Sequence, residues 1–135
     1  MNVEWLATSP ETSRVGVMMR TEFRELETRF IRLRSHGEGY LEVAVPTENS
    51  PELSLAFRGD HAVVEQLRVL DEDPKSFLLV GDGSLPPDAT VEVPIMDEDA
   101  TFTGLFVMSV DRAWDAVRDF VSAGSPADLG VWYEL

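Results

Sequence analysis

Apolar residues recur along this chain at two spacings, and each spacing predicts its own kind of element. Over Thr21 to His36, Phe23, Leu26, Phe30 and Leu33, joined by Ile31, follow the three-and-four spacing of one helix face. Thr21 stands where an N-cap belongs, Glu22 favours the positive end, and Gly37 ends the run. A second helix is predicted over Ser109 to Ala123, with Val110, Trp114, Val117 and Val121, joined by Phe120, on its stripe. Ser109 is a good N-cap there, Asp111 suits the first turn, and Gly124 suits the position after the last turn. Between the helices the period falls to two. Leu41, Val43 and Val45 alternate with Glu42 and Ala44 until Pro46; Leu53, Leu55 and Phe57 alternate with Ser54 and Ala56. Arg58-Gly59-Asp60-His61 then predicts a hairpin turn.

Further strands are predicted over Ala62–Leu70, Ser76–Val80, Thr90–Ile95, Thr101–Phe106 and Gly130–Leu135, with a short one over Val15–Met19. In the first of these Val63, Leu67 and Val69 share a phase broken by Glu65, and a helix is the rival reading. Pro94 cannot donate to a ladder and argues for an edge. Residues 1–14, with Ser9-Pro10 and several small polar residues, read as a loose arm that Trp5 and Leu6 can pin. The expected fold is α+β: a single antiparallel sheet of about six strands packed with two helices, one N-terminal and one near the C-terminus. Residues 15–135 form one domain in this reading.

Charge changes the picture most. The chain of 135 residues has a net charge of -14. Residues 1–58 hold 9 acids and 7 arginines, net -2, whereas residues 59–135 hold 16 acids against Arg68, Lys75, Arg112 and Arg118, net -12. Such a surface repels phosphates and anionic lipid and steers positively charged partners. No cysteine is present, which removes disulfides and thiolate zinc sites. No apolar run approaches the roughly 20 residues of a membrane span. The start Met1-Asn2-Val3-Glu4-Trp5 lacks the pattern of a signal peptide. The expected location is therefore the cytoplasm.

Candidate chemistry is sparse. His36 and His61 fall at predicted turns with no second ligand at metal spacing, and no G-x-S-x-G is present. Gly81-Asp82-Gly83 precedes Pro86-Pro87 instead of the helix that a phosphate loop needs. The chain is expected to be no enzyme, with no catalytic residue, cofactor or metal. Two acidic triplets stand out in predicted loops, Asp71-Glu72-Asp73 and Asp97-Glu98-Asp99, without the alternation of a calcium loop. Together with Phe102 as an apolar anchor, these six carboxylates are the candidate partner-binding residues.

Residues 53–135 also resemble a family of polymorphic-toxin immunity proteins, the one numbered first among them. The matching order starts with Leu53-Ser54-Leu55, then Gly59-Asp60-His61-Ala62-Val63-Val64 and the apolar strand ending at Gly81. It continues through the acidic hairpin region, the helix from Ser109 to Phe120, Gly124, and Val131-Trp132-Tyr133-Glu134-Leu135. Glu25-Leu26-Glu27 onward into Leu41–Val45 fits the N-terminal half. The chain departs from the family at Leu105-Phe106-Val107-Met108, where an acidic-Phe-Pro step is common. It departs again at Ser125-Pro126-Ala127-Asp128, where an Arg-Pro pair is common. The resemblance implies an inhibitor that occludes the active site of a cognate secreted toxin, a nucleic-acid-targeting deaminase or nuclease with a basic cleft. It would act as a monomer or weak dimer, without touching nucleic acid or membrane. The alternatives are an acidic secretion chaperone, which would grip an unfolded segment as a dimer, and an acidic DNA mimic with many targets.

Overall fold

Four consecutive strands form the centre of the fold, and the two-residue Gly59-Asp60 turn joins the middle two. The computed structural model describes residues 2–8, 18–46, 51–70, 73–95 and 98–135, with the side chains of 69 and 70 excepted. Strands β3 (Glu38–Ala44), β4 (Glu52–Arg58), β5 (His61–Leu70) and β6 (Asp73–Leu79) make an antiparallel meander. Gly59 takes a φ of 60° in the β4–β5 turn, a conformation glycine reaches at no steric cost. Strands β1 (Asn2–Thr8), β2 (Met19–Glu22) and β9 (Trp132–Glu134) complete a seven-stranded sheet in the order β2-β1-β3-β4-β5-β6-β9. A separate hairpin, β7 (Thr90–Ile95) and β8 (Glu98–Thr103), lies across β3, β4 and β5.

The two faces of the sheet bury different sets. Leu41, Val43, Leu53, Leu55, Phe57, Ala62, Val64 and Leu79 pack with helices α1 (Phe23–Ser35) and α2 (Val110–Ala123). Tyr40, Ala56, Val63 and Leu78 pack on the opposite face with Val93 of the hairpin and with Val107. Burying each such Leu, Val or Phe contributes about 1.5–3 kcal/mol. Ring stacking joins the two helices: Trp114 of α2 lies 4.2 Å from Phe30 and 5.6 Å from Phe23, both of α1.

After β8 the chain crosses the end of the sheet from the hairpin side to the helix side. A 3-10 turn, Gly104–Phe106, begins the crossing; Val107 belongs to the hairpin-side core and Met108 to the helix-side core. Met108 and Ala62 exchange both backbone hydrogen bonds, and the Gly81 amide donates to Leu105 at 2.8 Å. Two glycines permit this close approach. A Cβ on Gly81 would sit 2.1 Å from the Val107 oxygen, and one on Gly104 would sit 2.0 Å from the Pro86 oxygen.

Several expectations need correction. Residues 2–8 are no loose arm: β1 pairs with β2 on one side and β3 on the other, and buries Val3, Trp5, Leu6 and Thr8. Residues 9–14 of that arm, and 15–17 of the short predicted strand, lie outside the described residues. Thr21 belongs to β2, and Glu22 takes the cap position of α1 without a side-chain capping bond. Ile31 is 62% exposed, because the next position after Phe30 turns about 100° away from the Leu26–Phe30–Leu33 stripe. The segment expected as a strand with a helix as rival is the strand β5; its Val63–Leu67 phase faces the hairpin side, with Leu67 exposed, and Ala62, Val64 and Gln66 face the helices. The strand expected over 101–106 runs over Glu98–Thr103 and ends at the 3-10 turn.

Candidate partner-binding surface

Asp71, Glu72 and Asp97 lie outside the described residues. Asp73 is exposed as the first residue of β6, where it pairs with Leu70. Glu98 and Asp99 open β8 opposite Ile95 and Pro94. Asp99 is engaged within the fold, since Arg58 Nη2 donates to it at 2.8 Å while Arg58 Nε donates to Glu38 at 2.8 Å. Those two bonds hold the Arg58 guanidinium above its ordinary pKa, Glu38 contributing more than Asp99. Phe102 is half-buried against the hairpin-side core and is therefore no free anchor.

The described members of the two triplets do not meet. Asp73 neighbours the end of β5 at Leu70, whereas Asp99 is tied to Arg58, which pairs with His61 at the start of β5. The length of β5 separates them, about 30 Å at the rise of an extended strand. A single contact patch built from both is thus a wide one.

The sheet does gather another acidic set. Glu42, Ser54 and Glu65 lie side by side across β3, β4 and β5, with Leu6 on β1 opposite Glu42. Glu4 (opposite Ala44) and Glu52 (opposite Leu67) share this face one step along the strands. All four glutamates are half-buried, on the part of the face that continues past the Tyr40–Ala56–Val63 row under the hairpin. Arg20 pairs with Glu4 at 2.6 Å, and the Tyr40 hydroxyl donates to Glu42 at 2.7 Å. Burial, and then that bond to Glu42, push the Tyr40 phenol well up. Burial raises the Glu52 carboxyl, with repulsion from Glu42 and Glu4 adding to it; burial alone raises Glu65.

These raised carboxyls make a stability prediction. A folded pKa above the unfolded one favours the protonated form. The stabilisation is full below the ordinary carboxylate range and is lost as pH rises through the raised pKa. At pH 7 the ionised pair therefore weighs against the fold, modestly because water still screens both groups. The double variant Glu52→Gln/Glu65→Gln is expected to gain on the order of 0.5 kcal/mol at pH 7, about 2 °C in thermal midpoint, and nothing at pH 4. Melts at both pH values check this; an unchanged midpoint at pH 7 would show both carboxylates fully hydrated.

Sequence reasoning missed this set, although its signal was present. Glu4, Glu42, Glu52 and Glu65 occupy one outward phase of four strands, but only the register makes them neighbours. The Gly81-Asp82-Gly83 turn also has a role in the fold. Burial raises the Asp82 carboxyl, but hydrogen bonds centred on Ser84 and the Ser109 amide outweigh it and hold the pKa below the usual range. With the Ser109 hydroxyl accepting from the Arg112 amide, Asp82 satisfies the N-terminus of α2. Two hollows of about 350 and 400 Å³ flank the other end of α2, the second lined by Asp119 and Asp128. Among the described residues no histidine, lysine or arginine lines either hollow. Among the described residues no helix is long and apolar enough to cross a membrane. No model of a known protein family matches the chain, and no curated protein matches it.

Proposed function

We propose that this chain is an immunity protein that binds the basic active-site cleft of a cognate secreted toxin, a nucleic-acid-targeting deaminase or nuclease, and occludes it. The observation that carries the reading is the face bearing Glu4, Glu42, Glu52 and Glu65, where Arg20 is the cation paired with Glu4. Carboxylates held on a sheet can stand where substrate phosphates would, and neighbouring cations of the toxin would relieve the repulsion that raises Glu52. The net charge of -12 over residues 59–135 adds long-range attraction. The resemblance of residues 53–135 to the immunity family supports the same reading. In it, Asp71, Glu72, Asp73, Asp97 and Glu98 extend the attractive field, while Asp99 and Phe102 hold the hairpin in place.

The test is a titration against the folded toxin domain encoded beside this gene, at low and high salt, with residual toxin activity followed in parallel. One-to-one binding that weakens with salt and abolishes activity is expected. The triple variant Glu42→Gln/Glu52→Gln/Glu65→Gln should associate about 10-fold more slowly at low salt, with the difference shrinking at high salt. Absence of binding to the folded domain overturns the reading. Binding only to an unfolded segment would instead identify a secretion chaperone.

A further inference from the structure

The two edges of the large sheet are finished differently. At one edge, β2 presents Arg20 and Glu22, the charged guard that keeps foreign strands away. At the other, β9 lies within Val131-Trp132-Tyr133-Glu134-Leu135 and carries apolar residues at alternate positions. The Val80 amide donates to Val131 at 2.8 Å and the Leu135 amide to Ser76 at 2.9 Å. Residues 131, 133 and 135 therefore spend their backbone groups on β6. By the alternation of an antiparallel ladder, the N–H and C=O groups of Trp132 and Glu134 point outward. Among the described residues no strand pairs with that outer edge.

Side chains frame the edge. Leu105, Val131, Tyr133 and Leu135 are 41%, 69%, 56% and 65% exposed, four of the seven exposed large apolar side chains of the described residues. Tyr133 packs on Phe106 at 5.6 Å on the hairpin side. On the helix side stand Glu134, which pairs with Lys75 at 3.4 Å and is still half exposed, and the Pro126–Gly130 turn with exposed Asp128; the Trp132 indole donates to Pro126 at 2.9 Å.

We propose that β9 is a docking edge for an extended segment of a positively charged partner protein, which adds as an eighth strand. Main-chain hydrogen bonds to Trp132 and Glu134 hold it, apolar side chains lie along Val131, Tyr133 and Leu135, and alternate basic side chains face Asp128 and Glu134. Charge selects this occupant over a second copy. Two chains of -14 repel, whereas a positively charged segment is attracted. The inference takes from the function proposed above only the partner's positive charge.

The probe is a synthetic, end-capped peptide of alternating lysine and valine, followed by amide hydrogen exchange and chemical shifts on the whole chain. Protection of the Trp132 and Glu134 amides is expected, with weaker binding as salt rises. The variant Glu134→Pro lacks one outward N–H and no internal ladder bond, and it also loses the exposed carboxylate paired with Lys75, a loss that Glu134→Gln shares. The proline variant should melt with the glutamine variant and bind the peptide about tenfold more weakly than it. Should the variant melt early, a peptide N-methylated on its edge-facing amides replaces it and should lose binding equally. Equal binding to either altered form, protection elsewhere on the sheet, or equal binding of an alternating threonine–valine peptide overturns the proposal. So does β9-to-β9 self-association in sedimentation. If the toxin domain is bound and inhibited while the peptide gives no protection at Trp132 and Glu134, the docking edge falls and the immunity reading stands. If the peptide binds and the toxin domain does not, the reverse holds.

Discussion

Gly81→Ala is expected to lose about 3 kcal/mol or more of stability and about 12 °C in thermal midpoint. The reason is contact between two backbones. The new Cβ would meet the Val107 oxygen at 2.1 Å, its carbonyl carbon at 2.7 Å and its nitrogen at 2.9 Å, so no side-chain rotation relieves the overlap. Either the Gly81–Leu105 hydrogen bond breaks or the crossing segment moves. Movement would drag Val107 from one core and Met108 from the other. Gly83→Ala is a suitable comparison, because Gly83 has a φ of 76° but open space around it, so only local backbone strain of about 1 kcal/mol is at stake. Thermal melts of the two variants decide the matter. A loss below about 1 kcal/mol at Gly81 would mean that the crossing relaxes freely, contrary to the tight packing described.

Trp114→Ala is expected to cost about 3–5 kcal/mol, read as a fall in the urea midpoint without a change in slope. Trp114 is buried between the helices, stacked on Phe30 with an interplanar angle of 4° and on Phe23 at 16°. Phe30 in turn meets Phe57 of β4 edge-on at 5.8 Å. Removing the indole empties the junction of α1, α2 and the sheet together, and α1 has no other aromatic partner on α2 among the described ring contacts. Trp114→Phe retains part of the stack and should lose less than half as much. A cost under 1 kcal/mol for the alanine variant would show that the helices close over the gap.

What could be read from the chain depended on how local the cause was. Helix α2 was legible because Ser109 caps it, Gly124 ends it in the left-handed region at a φ of 72°, and its stripe is apolar throughout. Strands β3 and β4 were legible because their apolar residues alternate, and the Arg58–His61 turn leads from β4 into β5. Strand β1 was not, since Val3, Trp5 and Leu6 are buried on both faces and its partners begin only at Met19 and Glu38. The same limit hid the acidic face. Glu65 read as a break in a buried phase, and only pairing across Ser54 makes it a neighbour of Glu42. The triplets stood out because their acids are adjacent in sequence, yet the fold sends Asp73 and Asp99 to opposite ends of β5.

The strand order also sets a schedule for assembly. Strands β3 to β6 pair with immediate neighbours, so their loops close early and at small entropic cost. Strand β1 must wait for partners such as Leu41 opposite Ala7, and β9 for Leu79 opposite Trp132, across much longer stretches of chain. The outer strands thus join a sheet already begun by the meander, and the rate of folding is governed by these distant pairings. Until β9 arrives, β6 is the open side of the growing sheet, with Leu78 and Leu79 not yet sheltered. The docking edge is, in kinetic terms, a site that has itself been made by strand addition.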